Sequence, residues 1–248
     1  KDLSTSVFDK KMSLYKDANI TFVGCSRWLS GRAKKSYLLR GKAVLSIPNP
    51  IDTKVYHPMD QGMARELLGL PSGKRLLLFG ALNVTDKRKG IDYLIEALRR
   101  MEKQDVELVV FGQVKDDIRG LFPVPIHSMG YLSDESKIVA LYNAVDMFIT
   151  SSLEENLPNT IMESMACGTP CVGFEIGGIP EMIDHRVNGY VANYKDAGDL
   201  ANGIQWVLEH EDRLALSDAC VKKVQENYTE EVVAKQYTAL YEKLLKGE

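Results

Sequence analysis

Eight short, largely apolar runs punctuate this chain, at 20–25, 44–47, 75–82, 107–111, 126–129, 147–151, 170–174 and 190–192. Between most of them lie stretches whose apolar residues recur at helical spacing, at 28–39, 60–68, 91–101, 135–143 and 159–166. A strand that is apolar along its whole length has no face for water, so it belongs in a sheet covered on both sides. Helices between successive strands supply the crossovers that parallel pairing needs. The sequence therefore predicts an α/β fold, a Rossmann-like doubly wound parallel sheet followed by C-terminal helices. A formal net charge of −3 over 248 residues gives no support for a nucleic-acid partner. Apolar runs such as 76–82 fall far short of the roughly 20 residues that cross a bilayer.

The segment Ile47-Pro48-Asn49-Pro50-Ile51-Asp52 interrupts the pattern. Two prolines with turn residues force extended backbone there, as expected of an interdomain linker. Residues 1–50 hold too few elements to bury both faces of a sheet and read as the remnant, the last β-α-β, of a preceding domain; residues 51–248 read as a domain of their own. A start at Lys1 without Met agrees with a piece of a longer protein. Residues 27–42 carry six basic and no acidic side chains around Trp28, Tyr37, Leu38 and Leu39. That is the pattern of a basic membrane-surface helix, or of a solvated face with a few core contacts. At 229–245, Val233, Tyr237, Leu240, Tyr241 and Leu244 fall at helical spacing and need a partner surface. Four cysteines include no C-x-x-C pair and four histidines no i, i+4 pair, so zinc is not expected. Cys167 and Cys171 read as buried thiols of a reduced, cytoplasmic chain.

A doubly wound sheet invites nucleotide chemistry, but the usual phosphate signatures are missing. No two of the 19 glycines are separated by a single residue, no Gly-Lys is followed by Ser or Thr, and no two aspartates are separated by a single residue. A bound diphosphate would then be neutralised by cationic side chains and helix N-termini. Arg88 and Lys89 stand in the polar loop 83–90 after the strand at 75–82, where open α/β sheets bind ligands; a solvated charge run is the plainer alternative. The stretch 151–170 follows a strand, opens a helix at Pro158 or Asn159, and closes it with Gly168 and Pro170. The amides of Asn159 and Thr160 lie at the positive end of that helix. Glu155 falls on the loop and Glu163 about one turn inside the helix, where a carboxylate can accept both hydroxyls of a ribose. The eight-residue spacing carries little alone, since about one such pair is expected by chance.

Glu155-Asn-Leu-Pro-Asn-Thr-Ile-Met-Glu163-Ser-Met-Ala-Cys-Gly-Thr-Pro170, with Gly177-Gly178-Ile-Pro-Glu-Met-Ile183, Asn188-Gly189, the 47–52 linker and Lys89-Gly90, resembles the C-terminal half of retaining GT-B glycosyltransferases of family 4, the glycosyl transferases group 1. The resemblance runs over essentially the whole chain. It implies a nucleotide-diphospho-sugar donor, transfer to an acceptor hydroxyl with retention, no cofactor and no obligatory metal. On this resemblance Glu163 holds the ribose, Glu155 lies against the donor sugar as the catalytic candidate, and Lys89 with Arg88 binds the diphosphate. Gly80, Asn156, Leu157, Asn159 and Thr160 complete the donor site, and Tyr131 and Leu132 flank the base. The family's Gly-Arg-Leu is here Gly80-Ala81-Leu82, so Arg88 or Lys87 stands in for an arginine. A glycan or lipid-linked acceptor is expected on the preceding domain, with peripheral contact at the inner face of the membrane and a role in surface polysaccharide or glycoconjugate synthesis. This chain alone is expected to bind donor and turn over little. The alternatives are a non-catalytic nucleotide- or sugar-binding module and a GT-B-type sugar-nucleotide epimerase.

Overall fold

A computed structural model describes residues 3–83, 86–101, 105–113 and 119–247. The N-terminal part comprises helix α1 (Leu3–Lys16), strand β1 (Thr21–Gly24), helix α2 (Arg27–Lys35) and strand β2 (Ala43–Ser46), with β1 and β2 paired in parallel. There follow α3 (Gln61–Leu68), β3 (Arg75–Asn83), α4 (Ile91–Arg100), β4 (Val106–Gln113), β5 (Ile126–Gly130), α5 (Glu135–Ala144) and β6 (Met147–Thr150). The chain ends with α6 (Asn159–Ala166), β7 (Cys171–Phe174), α7 (Ile179–Met182), β8 (Gly189–Ala192), α8 (Ala197–Leu208), α9 (Arg213–Asn227) and α10 (Glu230–Leu245).

The larger sheet has the order β5-β4-β3-β6-β7-β8 and is parallel throughout. Its central strands are largely apolar along their length because alternate side chains enter different cores, whereas the edge strand β5 carries His127 and Ser128 and has no buried residue. Leu77 and Phe79 of β3, Met147 and Ile149 of β6, and Val172 and Phe174 of β7 pack with α4 and α8. Leu76, Leu78, Phe148 and Cys171 turn to the opposite face, against α3, α5, α6 and α9. The chain winds outward from β3 to β5, then returns to lay β6 on the other side of β3. The loops after β3 and β6 therefore diverge from one crevice, the topological switch point at which such sheets bind ligands.

All eight expected strands form, within two residues of the expected limits. The helix expected over 28–39 does not run through: α2 stops at Lys35, Ser36 is extended (φ −68°, ψ 135°), and a single 3-10 turn covers Tyr37–Leu39. The cause is local, since the Ser36 hydroxyl accepts from the Leu38 amide and starts a new turn. Ile51 donates its amide to the Tyr228 carbonyl (2.8 Å), and Ile47 packs with Val233, Leu240 and Tyr237. The 47–52 segment is thus the partner surface of α10, which leaves Tyr241 and Leu244 exposed.

Candidate functional site

The loop after β3 takes its shape from three local devices. Asp86 accepts from the Arg88 amide (2.9 Å) and caps a 3-10 turn over Lys87–Lys89. Gly90 ends the turn at φ +62°, where an added Cβ would lie 2.0 Å from the Ser151 carbonyl oxygen. The Leu153 amide then donates to the Arg88 carbonyl (2.7 Å) and the Ser151 hydroxyl to the Lys89 carbonyl (2.9 Å), so the loops after β3 and β6 are stitched together. Lys89 and Glu155 meet as a result: Nζ to Oε1 is 2.5 Å, with the side chains 32% and 15% exposed. Arg88 lies on the same turn, but its guanidinium folds back onto Asp86 (2.7 Å). Hydrogen bonds from Arg88 hold the Asp86 carboxyl at about 2. Val84 and Thr85 of this loop lie outside the described residues.

Glu155 and Asn156 rest on a glycine turn. At Gly177 (φ +60°) a Cβ would lie 1.9 Å from the Glu155 carbonyl oxygen, and the Gly178 amide donates to the Asn156 carbonyl at 2.5 Å. The Asn156 side chain reaches the N-terminal part, accepting from the Ser26 hydroxyl (2.6 Å) and donating to Cys25 Sγ (2.8 Å). Nearby, the Glu181 carboxylate accepts from the first amides of α2, Arg27 (2.9 Å) and Trp28 (2.8 Å). Between these parts opens a cleft of about 400 Å³ lined by Trp28, Arg88, Glu154, Glu155, Asn156 and Ile176. Leu157 is 7% exposed and packs in the core.

Helix α6 begins after Pro158, the first intrahelical bond running from the Ile161 amide to the Pro158 carbonyl (3.1 Å). The amides of Asn159 and Thr160 precede that bond at the crevice end of the helix. Glu163, half-buried one turn further on, accepts a 2.8 Å hydrogen bond from the Tyr142 hydroxyl of α5. Burial raises its pKa, the Tyr142 hydrogen bond opposes that rise, and the charge of Glu135 adds to it. Burial, and then the charge of Glu163, pushes the Tyr56 phenol well up. At Gly80 the Phe111 ring covers the strand, 1.9 Å from where a Cβ would stand. Tyr131 follows Gly130 (φ +63°) and is 61% exposed, while Leu132 packs against the core.

Sequence reasoning missed Tyr142, Tyr56 and Glu135 around Glu163. The one readable signal was a tyrosine directly after the buried apolar run Val139-Ala140-Leu141 of α5. Among the described residues no three His, Cys, Asp or Glu side chains gather as a metal site, and no helix is long and apolar enough to cross a membrane.

A family model, "Glycosyl transferases group 1", matches residues 73–210, more than half of the chain. The chain belongs to the glycosyl transferases group 1 family. Among relatives, this group 1 member is 24% identical over 213 residues to the N-acetyl-alpha-D-glucosaminyl L-malate synthase of Bacillus anthracis, covering 84% of the chain and 55% of that protein. It is 27% identical over 172 residues to the D-inositol 3-phosphate glycosyltransferase of Mycolicibacterium smegmatis (65% and 39%). The chain spans about half the length of the first curated relatives it matches. Among solved structures, the sucrose-phosphate synthase of Thermosynechococcus elongatus superposes with a TM-score of 0.82 at 21% identity, over 98% of this chain and 63% of that one. Anabaena HepE, solved in complex with UDP and glucose, gives 0.76 at 19% identity, over 97% and 67%. The parallel six-stranded sheet with flanking helices is thus the fold of GT-B glycosyltransferases.

Proposed function

We propose that residues 51–248 form the donor-binding domain of a retaining glycosyltransferase, and that residues 1–50 are the end of the domain that binds the acceptor. The observation that carries this reading is the 2.5 Å contact of Lys89 with Glu155 at the switch point, with Glu163 eight residues on in the helix that opens there. A nucleotide-diphospho-sugar needs a cation for its diphosphate, acceptors for its ribose and acceptors for its sugar. Lys89, Glu163 and Glu155 supply them in that order. Arg88 lies one residue from Lys89 and reaches the diphosphate once released from Asp86. Gly80, Asn156 and Leu157 hold the site loops in place, and Tyr131 and Leu132 flank the base. The Anabaena relative's complexes with UDP and with UDP-glucose support this donor class.

In the reaction, the bond from the anomeric carbon to the β-phosphate oxygen breaks and its electron pair stays on the diphosphate. The acceptor hydroxyl oxygen bonds to the same face of that carbon, and its proton passes to the departing phosphate oxygen. Negative charge grows on the diphosphate, where Lys89, Arg88 and the amides of Asn159 and Thr160 stabilise it without an obligatory metal. Glu155 positions the sugar for front-face attack. The acceptor is a glycan or lipid-linked glycan, presented at the cytoplasmic face of the membrane during surface polysaccharide or glycoconjugate synthesis.

The test is thermal unfolding of the 248-residue chain with UDP, GDP and ADP. At ten times its Kd, a nucleotide adds about 1.4 kcal/mol, or about 4 °C in Tm. Glu163→Ala and Lys89→Ala are expected to remove most of that shift; unchanged affinity in both variants refutes the site.

A further inference from the structure

Tyr142 is 1% exposed, and its hydroxyl sends its hydrogen bond to Glu163 Oε2. The ring has no freedom to turn away. Phe111 and Phe148 meet it edge-on, with centroids at 6.2 and 6.1 Å and interplanar angles of 83° and 78°. Phe111 is itself laid over Gly80, where no Cβ interferes. The Tyr142 carbonyl accepts from the Thr169 hydroxyl (2.7 Å), fixing this end of α5 to the connection between α6 and β7. Among the described residues Glu163 Oε1 accepts no hydrogen bond, so one oxygen of the carboxylate is held from inside and the other is open.

We propose that Tyr142 is a positioning residue for donor binding: its hydroxyl fixes Glu163 Oε2 and presents Oε1 to the ribose diol. This rests on the reading of Glu163 as the ribose-binding carboxylate. The groups facing Glu163 are Tyr142 and Glu135 from α5, Tyr56 from the turn after the linker, and Cys167 from its own helix. None is a cation. Burial and Glu135 both favour the neutral acid, and the Tyr142 hydroxyl is the group that favours the carboxylate. Tyr142 therefore aims the side chain and also favours its charged form over the neutral one.

Removing the hydroxyl has a signature that a packing defect lacks. In Tyr142→Phe the carboxylate protonates more readily, so nucleotide affinity falls most at acid pH, where the ionised fraction limits binding. Loss of aim weakens binding at every pH, and loss of one hydrogen bond to a charged group adds up to about tenfold where protonation limits binding. The experiment is isothermal titration of the 248-residue chain and of Tyr142→Phe between pH 5 and pH 8. The probe is whichever of UDP, GDP and ADP binds the unmodified chain most tightly. Taking the ratio of the two affinities cancels the titration of the phosphate itself. A ratio already above one at pH 8 that grows further towards pH 5 supports the assignment; a ratio of one throughout, or one that does not change with pH, overturns it. If the unmodified chain binds none of the three, the donor-site reading fails and this inference with it. A double-mutant cycle with Glu163→Gln reads the same contact from stability, so a poorly folding Tyr142→Phe still gives an answer. A coupling between the two changes supports the contact, and simple additivity overturns it.

Discussion

Glu155 neutralises Lys89 when no donor is bound, and this makes Glu155→Gln an unusual substitution: it should tighten one ligand and not the other. Gln keeps the shape of the side chain and an oxygen for Lys89, so the 2.5 Å contact survives as a neutral–charged hydrogen bond. The lost quantity is the negative charge. A phosphate charge about 5 Å from that carboxylate is repelled by about 3 kcal/mol at an effective dielectric near 20. Glu155 is 15% and Lys89 32% exposed, so solvent and salt screen part of this. Halving it leaves about 1.5 kcal/mol, or roughly tenfold in affinity. A nucleoside diphosphate should therefore bind Glu155→Gln about tenfold more tightly. A nucleotide sugar also loses charge-assisted hydrogen bonds from its sugar hydroxyls, worth about 1.5 kcal/mol, so its affinity should hardly change. Titrating both ligands at 50 and 300 mM salt measures the two effects, and the gain for the diphosphate should shrink at the higher salt. Equal changes for the two ligands, or weaker diphosphate binding, would refute the placement of Glu155 between phosphate and sugar.

Two further outcomes concern the protein without ligand. Asp146→Ala removes the partner of Arg65, whose side chain is 6% exposed, and should cost about 3–5 kcal/mol, seen as a fall of about 10 °C in Tm; a loss under about 2 °C would show that Arg65 is held well enough by its carbonyl partners. Glu163→Gln should stabilise the free protein at neutral pH. Burial raises the Glu163 pKa in the folded state, so the native chain holds that proton more tightly than the unfolded one. Stability is then full below the ordinary carboxylate range and falls as pH rises through the raised value. Gln stays neutral, so the variant's Tm should match the parent's near pH 4 and exceed it at pH 8; a gap of constant size contradicts the assignment.

The sheet was legible because a strand buried on both faces is written as one apolar run, and β3, with Leu76, Leu77, Leu78 and Phe79 all buried, is the plainest example. Helix α6 was legible through Pro158 before it and Gly168 (φ +78°) after it. Helix α1 was not, since none of its residues is buried and its apolar row of Phe8, Met12 and Tyr15 is short. The meeting of Lys89 with Glu155 spans 66 residues and was not read from the sequence, where the strand-end rule placed only Lys89 and Arg88 at a crevice. Tyr142 shows the limit. Periodicity places it inside, but the direction of one hydroxyl depends on how Phe111 and Phe148 pack around it, and neither is a sequence neighbour. Arg88 shows the opposite limit, for a partner two residues away, Asp86, competes for the charge that the loop position suggested would face the crevice.

The two ends of the sheet differ in how they treat charge, and the difference bears on how the site keeps its geometry. At the ends where β3 and β6 begin, the Asp146 carboxylate, 2% exposed, accepts from Arg65 of α3 (3.1 Å), Arg213 of α9 (2.6 Å) and the Leu76 amide of β3 (2.7 Å), with Arg75 at 3.8 Å. The Asp146 amide also donates to the Leu76 carbonyl (2.8 Å). One buried carboxylate thus ties together the two switch-point strands and two helices from the same face of the sheet. At the opposite ends the same strands release Lys89 and Glu155, which pair with each other, Glu155 lining the open cleft. A buried ion network adds little net stability over a well-packed apolar one, but it admits a single arrangement of its members. Fixing β3 against β6 at one end sets their spacing at the other, where a shift of about 1 Å between Lys89 and Glu155, the proposed phosphate-binding cation and sugar-binding carboxylate, is enough to lose a productive geometry. The saturated end of the sheet therefore holds the register that the unsaturated end uses.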